Sequence, residues 1–179
     1  GEEIFRMNGP YLFSMLVDDA GTVHLAFAAW ESDYSNSLYY AERTDSGWDY
    51  EIVYNTPDFL NDINIFMESN GEIVVYYEKG YNLDFMRKTD HGWIETEVYE
   101  NIDLHDMTQA SDGIYHFVYS DPNDPNIYPC VYYMNSESWT PECFFVCNYP
   151  DVGFYDFAAA IKTNDNNEPV IALDYDTQN

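Results

Sequence analysis

The chain has 179 residues, enough for one domain with a buried core, and its 33 acidic against six basic residues leave a formal charge of −27. That balance excludes a direct grip on DNA or RNA phosphates, which needs clustered cations, and it repels anionic membrane surfaces. Disorder is excluded too, because 46% of the residues are apolar and 18% aromatic, more than chains carry when they cannot build a core.

No apolar run approaches the roughly 18 residues of a membrane span, so no membrane insertion is expected. No basic-then-apolar leader opens the chain, which starts on Gly1; a processed secreted protein and an artificial start both explain that.

Taken in order, the elements repeat. Glu3 to Pro10 matches Glu51 to Pro57, so residues 1–10 read as a last strand, d, of a preceding or closing unit. Residues 11–59 follow as a first complete unit. A Gly turn, Val17 to Gly21, leads into Val23 to Phe27; an aromatic strand, Ser37 to Ala41, leads into Arg43-Thr44-Asp45-Ser46-Gly47-Trp48 and a tail, Glu51 to Asn55. Residues 60–102 repeat the pattern with Glu68 to Gly71, Ile73 to Tyr77, Asn82 to Met86 and Lys88-Thr89-Asp90-His91-Gly92-Trp93. Residues 103–152 repeat it with Ser111 to Gly113, Tyr115 to Tyr119, Cys130 to Met134, Trp139 and Glu142 to Asn148. Residues 153–179 begin again with Phe157 to Ile161, a polar turn at Asn164 to Asn167, and Pro169 to Tyr175.

Trp48, Trp93 and Trp139 are 45 and 46 residues apart, and each is expected to open the outermost strand of its unit. Gly, Asn and Asp between β-branched and aromatic runs are hairpin chemistry, since they accept positive φ. No stretch keeps a 3.6-residue apolar period, so helix is not expected. The predicted fold is all-β: four antiparallel strands, a to d, per unit, repeated as β-propeller blades in an incomplete propeller segment. The order runs d, abcd, abcd, abcd, ab, with one strand c missing. The edges at Glu3 to Met7 and Pro169 to Tyr175 are expected to be covered by further propeller blades or another copy of the chain.

The chain resembles the sialidase-like, BNR-type propeller repeats, whose blades read Gly-x-x-His-φ-x-Tyr followed by an aromatic strand and Gly-Trp. Gly21 to Phe27, Gly113 to Tyr119 and the two Gly-Trp phrases carry the likeness. The Asp-box of that family sets its Gly and Trp apart, whereas here they are adjacent. The resemblance implies a propeller fold. It does not extend to sialidase chemistry, which needs an arginine trio around a substrate carboxylate. The three arginines here are Arg6, Arg43 and Arg87, and the latter two flank c-to-d turns on the wrong face.

Blade geometry places the d-to-a and b-to-c loops on one face, where ligands are expected. The d-to-a loops bring Asp58, Asp103 and Asp151, then Asp62, Asp106 and Asp156. The b-to-c loops bring Trp30, Glu31, Asp33 and Tyr34, then Tyr81, then Asp121, Asp124 and Tyr128. The ligand-binding set read from this pattern is Trp30, Tyr34, Asp62, Tyr81, His105, Asp106, Tyr128 and Asp156. Aromatic faces stack on sugar C–H groups while carboxylates accept from hydroxyls. The same oxygens suit Ca²⁺, and repeated Asp residues equally well cap turns. His24 and His116 share a repeat position with Val74 and Ile171, which points to packing; His91 reads as solvated.

No catalytic residue is assigned, because G-x-S-x-G, H-E-x-x-H and phosphate-cradling glycine loops are absent. Cys130, Cys143 and Cys147 lack CxxC spacing; a short turn at Ser136 and Glu137 would set Cys130 opposite Cys143 as a disulfide and leave Cys147 free. The expected function is a non-catalytic binding module, secreted or on the cell surface, for a carbohydrate or exposed peptide. Its rivals are part of a glycoside hydrolase or lyase, and a structural subunit assembling through open edges.

Overall fold

The computed structural model describes residues 10–33, 35–121, 123, 130–146 and 157–175. Among them every regular element is a β-strand, and all neighbouring strands pair antiparallel. The opening strand Glu3 to Met7 lies outside the described residues, as do Tyr34, Asp124, Tyr128, Cys147, Asp151 and Asp156.

The chain divides into two compact units, residues 1–100 and 101–179. The first holds β1 (Pro10–Val17), β2 (Val23–Trp30), β3 (Asn36–Thr44) and β4 (Gly47–Thr56) in one meander. A second meander follows with β5 (Leu60–Met67), β6 (Ile73–Lys79), β7 (Asn82–Thr89) and β8 (Gly92–Glu100). The second unit holds β9 (Asp103–Gln109), β10 (Tyr115–Ser120), β11 (Cys130–Asn135) and β12 (Glu142–Val146), then a two-stranded sheet of β13 (Phe157–Thr163) and β14 (Pro169–Tyr175). Strand order follows chain order in every sheet, and each four-stranded sheet is a propeller blade.

One turn opens every sheet. Its first residue donates N–H to the carbonyl four residues on: Asp18 to Thr22, Glu68 to Glu72, Ala110 to Ile114 and Asn164 to Glu168. The left-handed position is Gly21 (φ 84°), Gly71 (85°) and Gly113 (87°), with Asn167 (63°) in the fourth case. These are the residue types that tolerate such a φ. The shared turn aligns the repeats. His24, Val74 and His116 occupy one position, and its fourth member is Val170, not Ile171, because Thr163 pairs with Pro169 as Val17 pairs with Val23.

Trp48 and Trp93 open the edge strands β4 and β8, each after a positive-φ glycine (Gly47, 139°; Gly92, 104°). Trp139 does not. It sits in the β11–β12 connection, three residues before the strand, with φ 50°, and packs on Phe117 at 5.5 Å. The phrase Asn135 to Ser138 has no glycine, and the Asn135 carboxamide ties the turn by accepting the Glu137 and Ser138 N–H groups instead.

Cross-strand partners share a face, so the ladders sort each sheet. In the first unit Ala26, Ala28, Leu38 and Tyr40 face Ile63, Ile65, Val75, Tyr77 and Met86 of the next blade. On β2 the small Ala26 and Ala28 leave room for the large side chains of the next sheet, while Leu38 and Tyr40 of β3 fill the space further out. Leu38, Leu60, Val75 and Tyr77 are fully buried there, each contributing about 1.5–3 kcal/mol of hydrophobic stabilisation. In the second unit Val118 and Val131 pack against Ala159 and Ile161.

Candidate functional site

At the end of the first blade where β2 leaves and β5 is about to begin, three rings meet. Trp30 closes β2 and lies 5.6 Å from Tyr11. Phe59, from the β4–β5 connection, meets Trp30 edge-on at 4.9 Å and 88° while remaining 59% exposed. The shelf is braced by polar bonds: Tyr11 donates to the Asn36 carboxamide oxygen (2.9 Å), and Asn36 donates to the Asp58 carbonyl (2.9 Å). Burial raises the Tyr11 pKa, which keeps its hydroxyl a donor.

Carboxylates flank these rings in sequence. Asp33 accepts from the Ser35 amide and hydroxyl and is held below the usual carboxylate range by those bonds. Glu31 accepts from Tyr39, whose pKa is pushed up to about 12, first by burial and then by that carboxylate. An exposed ring suits the C–H face of a neutral polyhydroxyl ligand, and carboxylates accept from hydroxyls. Tyr39, the partner of Glu31, pairs with Phe27 on the sheet face opposite Ala28 and Trp30.

Of the residues expected from sequence, Trp30 belongs to this shelf. Asp62 is exposed at φ 39° inside a bulge of β5, where Asn61 pairs with Glu78 and Asn64 next pairs with Tyr76. Tyr81, 56% exposed, tips the two-residue turn between β6 and β7 beside Gly80 (φ 64°). In the second unit His105 is half-buried with Nε2 3.1 Å from the Ser120 hydroxyl, and burial lowers its pKa against the opposing Asp103 charge.

Asp106 commits both oxygens to backbone: Oδ1 accepts the Met107 N–H and Oδ2 the Ile161 N–H of β13, each at 2.8 Å. Its repeat equivalent is Asn64 rather than Asp62, since Asp106 opposes Val118 as Asn64 opposes Tyr76 and Ser14 opposes Ala26. Ser14 and Asn64 are themselves bonded at 2.5 Å. The position stitches inner strands of neighbouring sheets together.

The opposite end of the first unit, away from the expected ligand face, holds an open groove of about 700 Å³. Asp18, His24, Tyr40 and Glu42 line one wall; Glu72, Lys88, Asp90 and His91 line another. His24 Nδ1 lies 2.8 Å from the Tyr40 hydroxyl, His24 Nε2 3.4 Å from Asp18 Oδ2, and Tyr40 lies 3.1 Å from Glu42. Burial, then Glu42, raises the Tyr40 pKa, so this phenol donates and does not ionise. Lys88 sits 4.0 Å over the Tyr40 ring, 5.8 Å from Trp93, and 3.0 Å from Glu51. Among the described residues no three His, Cys, Asp or Glu side chains are placed to hold a metal ion.

Cys130 and Cys143 are joined by a disulfide with Cα atoms 5.8 Å apart. They are not facing partners: Cys130 opposes Val146 and Cys143 opposes Tyr132, with a bulge between.

Sequence comparison matches no protein-family model and no curated protein. Structural likeness is clear. A protein of unknown function from Dyadobacter fermentans superposes with a TM-score of 0.58 at 15% identity, over 93% of this chain and 62% of its own. This chain thus spans less than two thirds of that protein. An endo-arabinase from Bacteroides thetaiotaomicron gives 0.54 at 9% identity, over 89% and 68%. A fucose lectin from Kordia zhangzhouensis, in complex with methyl-fucoside, gives 0.45 at 12% identity, over 76% and 98%. At these identities the first two likenesses establish the fold alone.

Proposed function

We propose that the chain is a non-catalytic carbohydrate-binding module of the sialidase-like, BNR-type propeller class, working outside the cell, and that a neutral sugar ring rests on Phe59 and Trp30. The observation that carries this is the Phe59 ring, held 59% exposed and perpendicular to Trp30 by a braced loop. A large apolar ring kept in water by structure is a surface awaiting a partner with its own apolar face, and hexose C–H faces fit that description. Asp33 and Glu31, one loop away in sequence, supply acceptors for hydroxyls. An endo-arabinase among the fold neighbours is compatible with glycan recognition.

The test is calorimetric titration with a panel of neutral oligosaccharides, alongside peptides. Phe59→Ala should weaken sugar binding about tenfold, equivalent to roughly 1.4 kcal/mol, and leave unfolding unchanged because the ring is mostly solvated. Trp30→Ala should abolish binding. Binding confined to peptides, or binding to no member of the panel, overturns the reading. Release of reducing ends during the titration transfers the site to the hydrolase class.

A further inference from the structure

We propose that the chain self-associates head to tail, the β13–β14 sheet of one copy packing on the β1–β4 sheet of another. The ladders show why. On the first sheet, Phe13, Met15 and Val17 of β1 oppose Phe27, Leu25 and Val23 of β2, and Ile52 of β4 opposes Tyr39, so all share one face. Phe13 is 75% exposed, Met15 61%, Val17 53% and Ile52 55%.

This is the face by which the next blade buries itself. Counting from the shared turn, Met15 corresponds to Ile65 and Leu25 to Val75, because Met15–Leu25 and Ile65–Val75 are equivalent pairs of their ladders. Ile65 is 3% exposed and Val75 0%. Identical register positions are therefore sealed in one blade and open to water in the other. Such a surface is the large-residue half of a blade interface.

The small-residue half is open on the last sheet. Ala172 corresponds to Ala26, which is 0% exposed where the second blade covers it. Ala160, paired with Ala172, and Val170, paired with Lys162, are exposed on the same side of β13–β14. Large residues need small ones opposite, as Ile65 and Val75 meet Ala26 and Ala28 within the first unit. A second copy supplies that complement with the same register. The contact is heterologous, joining two different faces, and so propagates or closes as a ring. A seven-residue, two-stranded face is small, which puts the association in the weak class. Repulsion between copies of charge −27 opposes it, so added salt should strengthen it.

The experiment is sedimentation velocity of the chain over about a hundredfold concentration range, at low salt and near 1 M, where screening reaches ~3 Å. The weight-average mass should rise above 20.9 kDa with concentration, and more so in salt. Met15→Glu and Ala172→Glu should each hold the chain at monomer mass, while a mixture of the two should recover a 1:1 dimer, since each retains the face the other lacks. Phe13→Glu and Ala160→Glu repeat the test should either first variant lose its circular-dichroism signature. A wild-type monomer throughout, or a mixture that stays monomeric, overturns the proposal. A dimer broken by Met15→Glu but not by Ala172→Glu indicates face-to-face pairing of first sheets and overturns it equally.

Discussion

His24 Nδ1 stands 2.8 Å from the hydroxyl of Tyr40 across the β2–β3 ladder. The contact recurs two blades on, where His116 Nδ1 lies 2.8 Å from Tyr133. The rings are stacked alike, at 24° and 21°. What differs is the far nitrogen. In the first blade Nε2 approaches Asp18, the opening residue of the turn; in the third that residue is Ala110, and the buried His116 Nε2 has no hydrogen-bond partner.

Ala110→Asp should supply the missing acceptor. A net hydrogen bond is worth about 0.5–1.5 kcal/mol, and the new carboxylate should raise the His116 pKa. Urea unfolding reads the first effect and imidazole NMR titration the second. A stability loss with an unmoved titration would show that the third turn cannot house the side chain.

Stability should fall as pH drops through the histidine range. Burial lowers the His116 and His105 pKa values below 6.5, against the opposing charges of Asp112 and Asp103. Below the unfolded value the unfolded chain takes up these protons first, so their contribution is whole above about pH 6.5 and is lost through the lower, folded values. Relief of acid repulsion acts in the other direction. The urea midpoint of the wild type should therefore be compared with that of His105→Asn, whose pH slope over this window should be shallower.

Asp106→Ala should cost about 1–3 kcal/mol, because it leaves the Met107 and Ile161 amides without their acceptor. Hydrogen exchange at Ile161 checks the mechanism: that amide should exchange faster in the variant, while amides of the first unit keep their rates.

Lys88→Ala should destabilise by about 1 kcal/mol, mostly through the lost contact with the Tyr40 face. Lys88→Arg should retain much of it, since a guanidinium also stacks. Lys79, opposite Asn82 at the other end of β7, also reaches the first blade, 5.1 Å over the Tyr54 ring. Burial alone would lower its pKa, yet bonding to Tyr54 and the charge of Asp84 raise it on balance. A chain with few cations places two of them where its first two blades meet.

The blade order was legible because turn chemistry is local: Gly-Trp after a polar phrase marks β4 and β8, and Gly21, Gly71 and Gly113 mark the turns that open each blade. Register was less legible. Val170-Ile171-Ala172-Leu173 is apolar on both faces, so alternation cannot say which residue faces which sheet, and the repeat position slipped by one. At Asp62 an inserted bulge shifts the frame, and matching acids to acids missed Asn64. Phe59 and Tyr11 were overlooked because single aromatics beside loops carry no period, though a Phe following Pro57-Asp58, outside any alternating run, was the available signal. The Asp18–His24–Tyr40 wall was invisible because its members join only when the turn after β1 and the strands β2 and β3 align.

The first two sheets touch along a gradient. Their inner strands approach closely enough for Ser14 to bond Asn64, while further out Tyr40 and Trp93 stand ring to ring at 5.4 Å with Lys88 between partners. Two sheets close at one margin and propped apart at the other form a wedge, and its opening is set by side-chain volume at the outer margin. Wedges arranged around an axis fill a circle only in whole numbers, so the bulk at Tyr40 and Trp93 is a lever on how many such sheets a ring would hold. Smaller residues there would narrow the angle and favour more blades; larger ones would favour fewer.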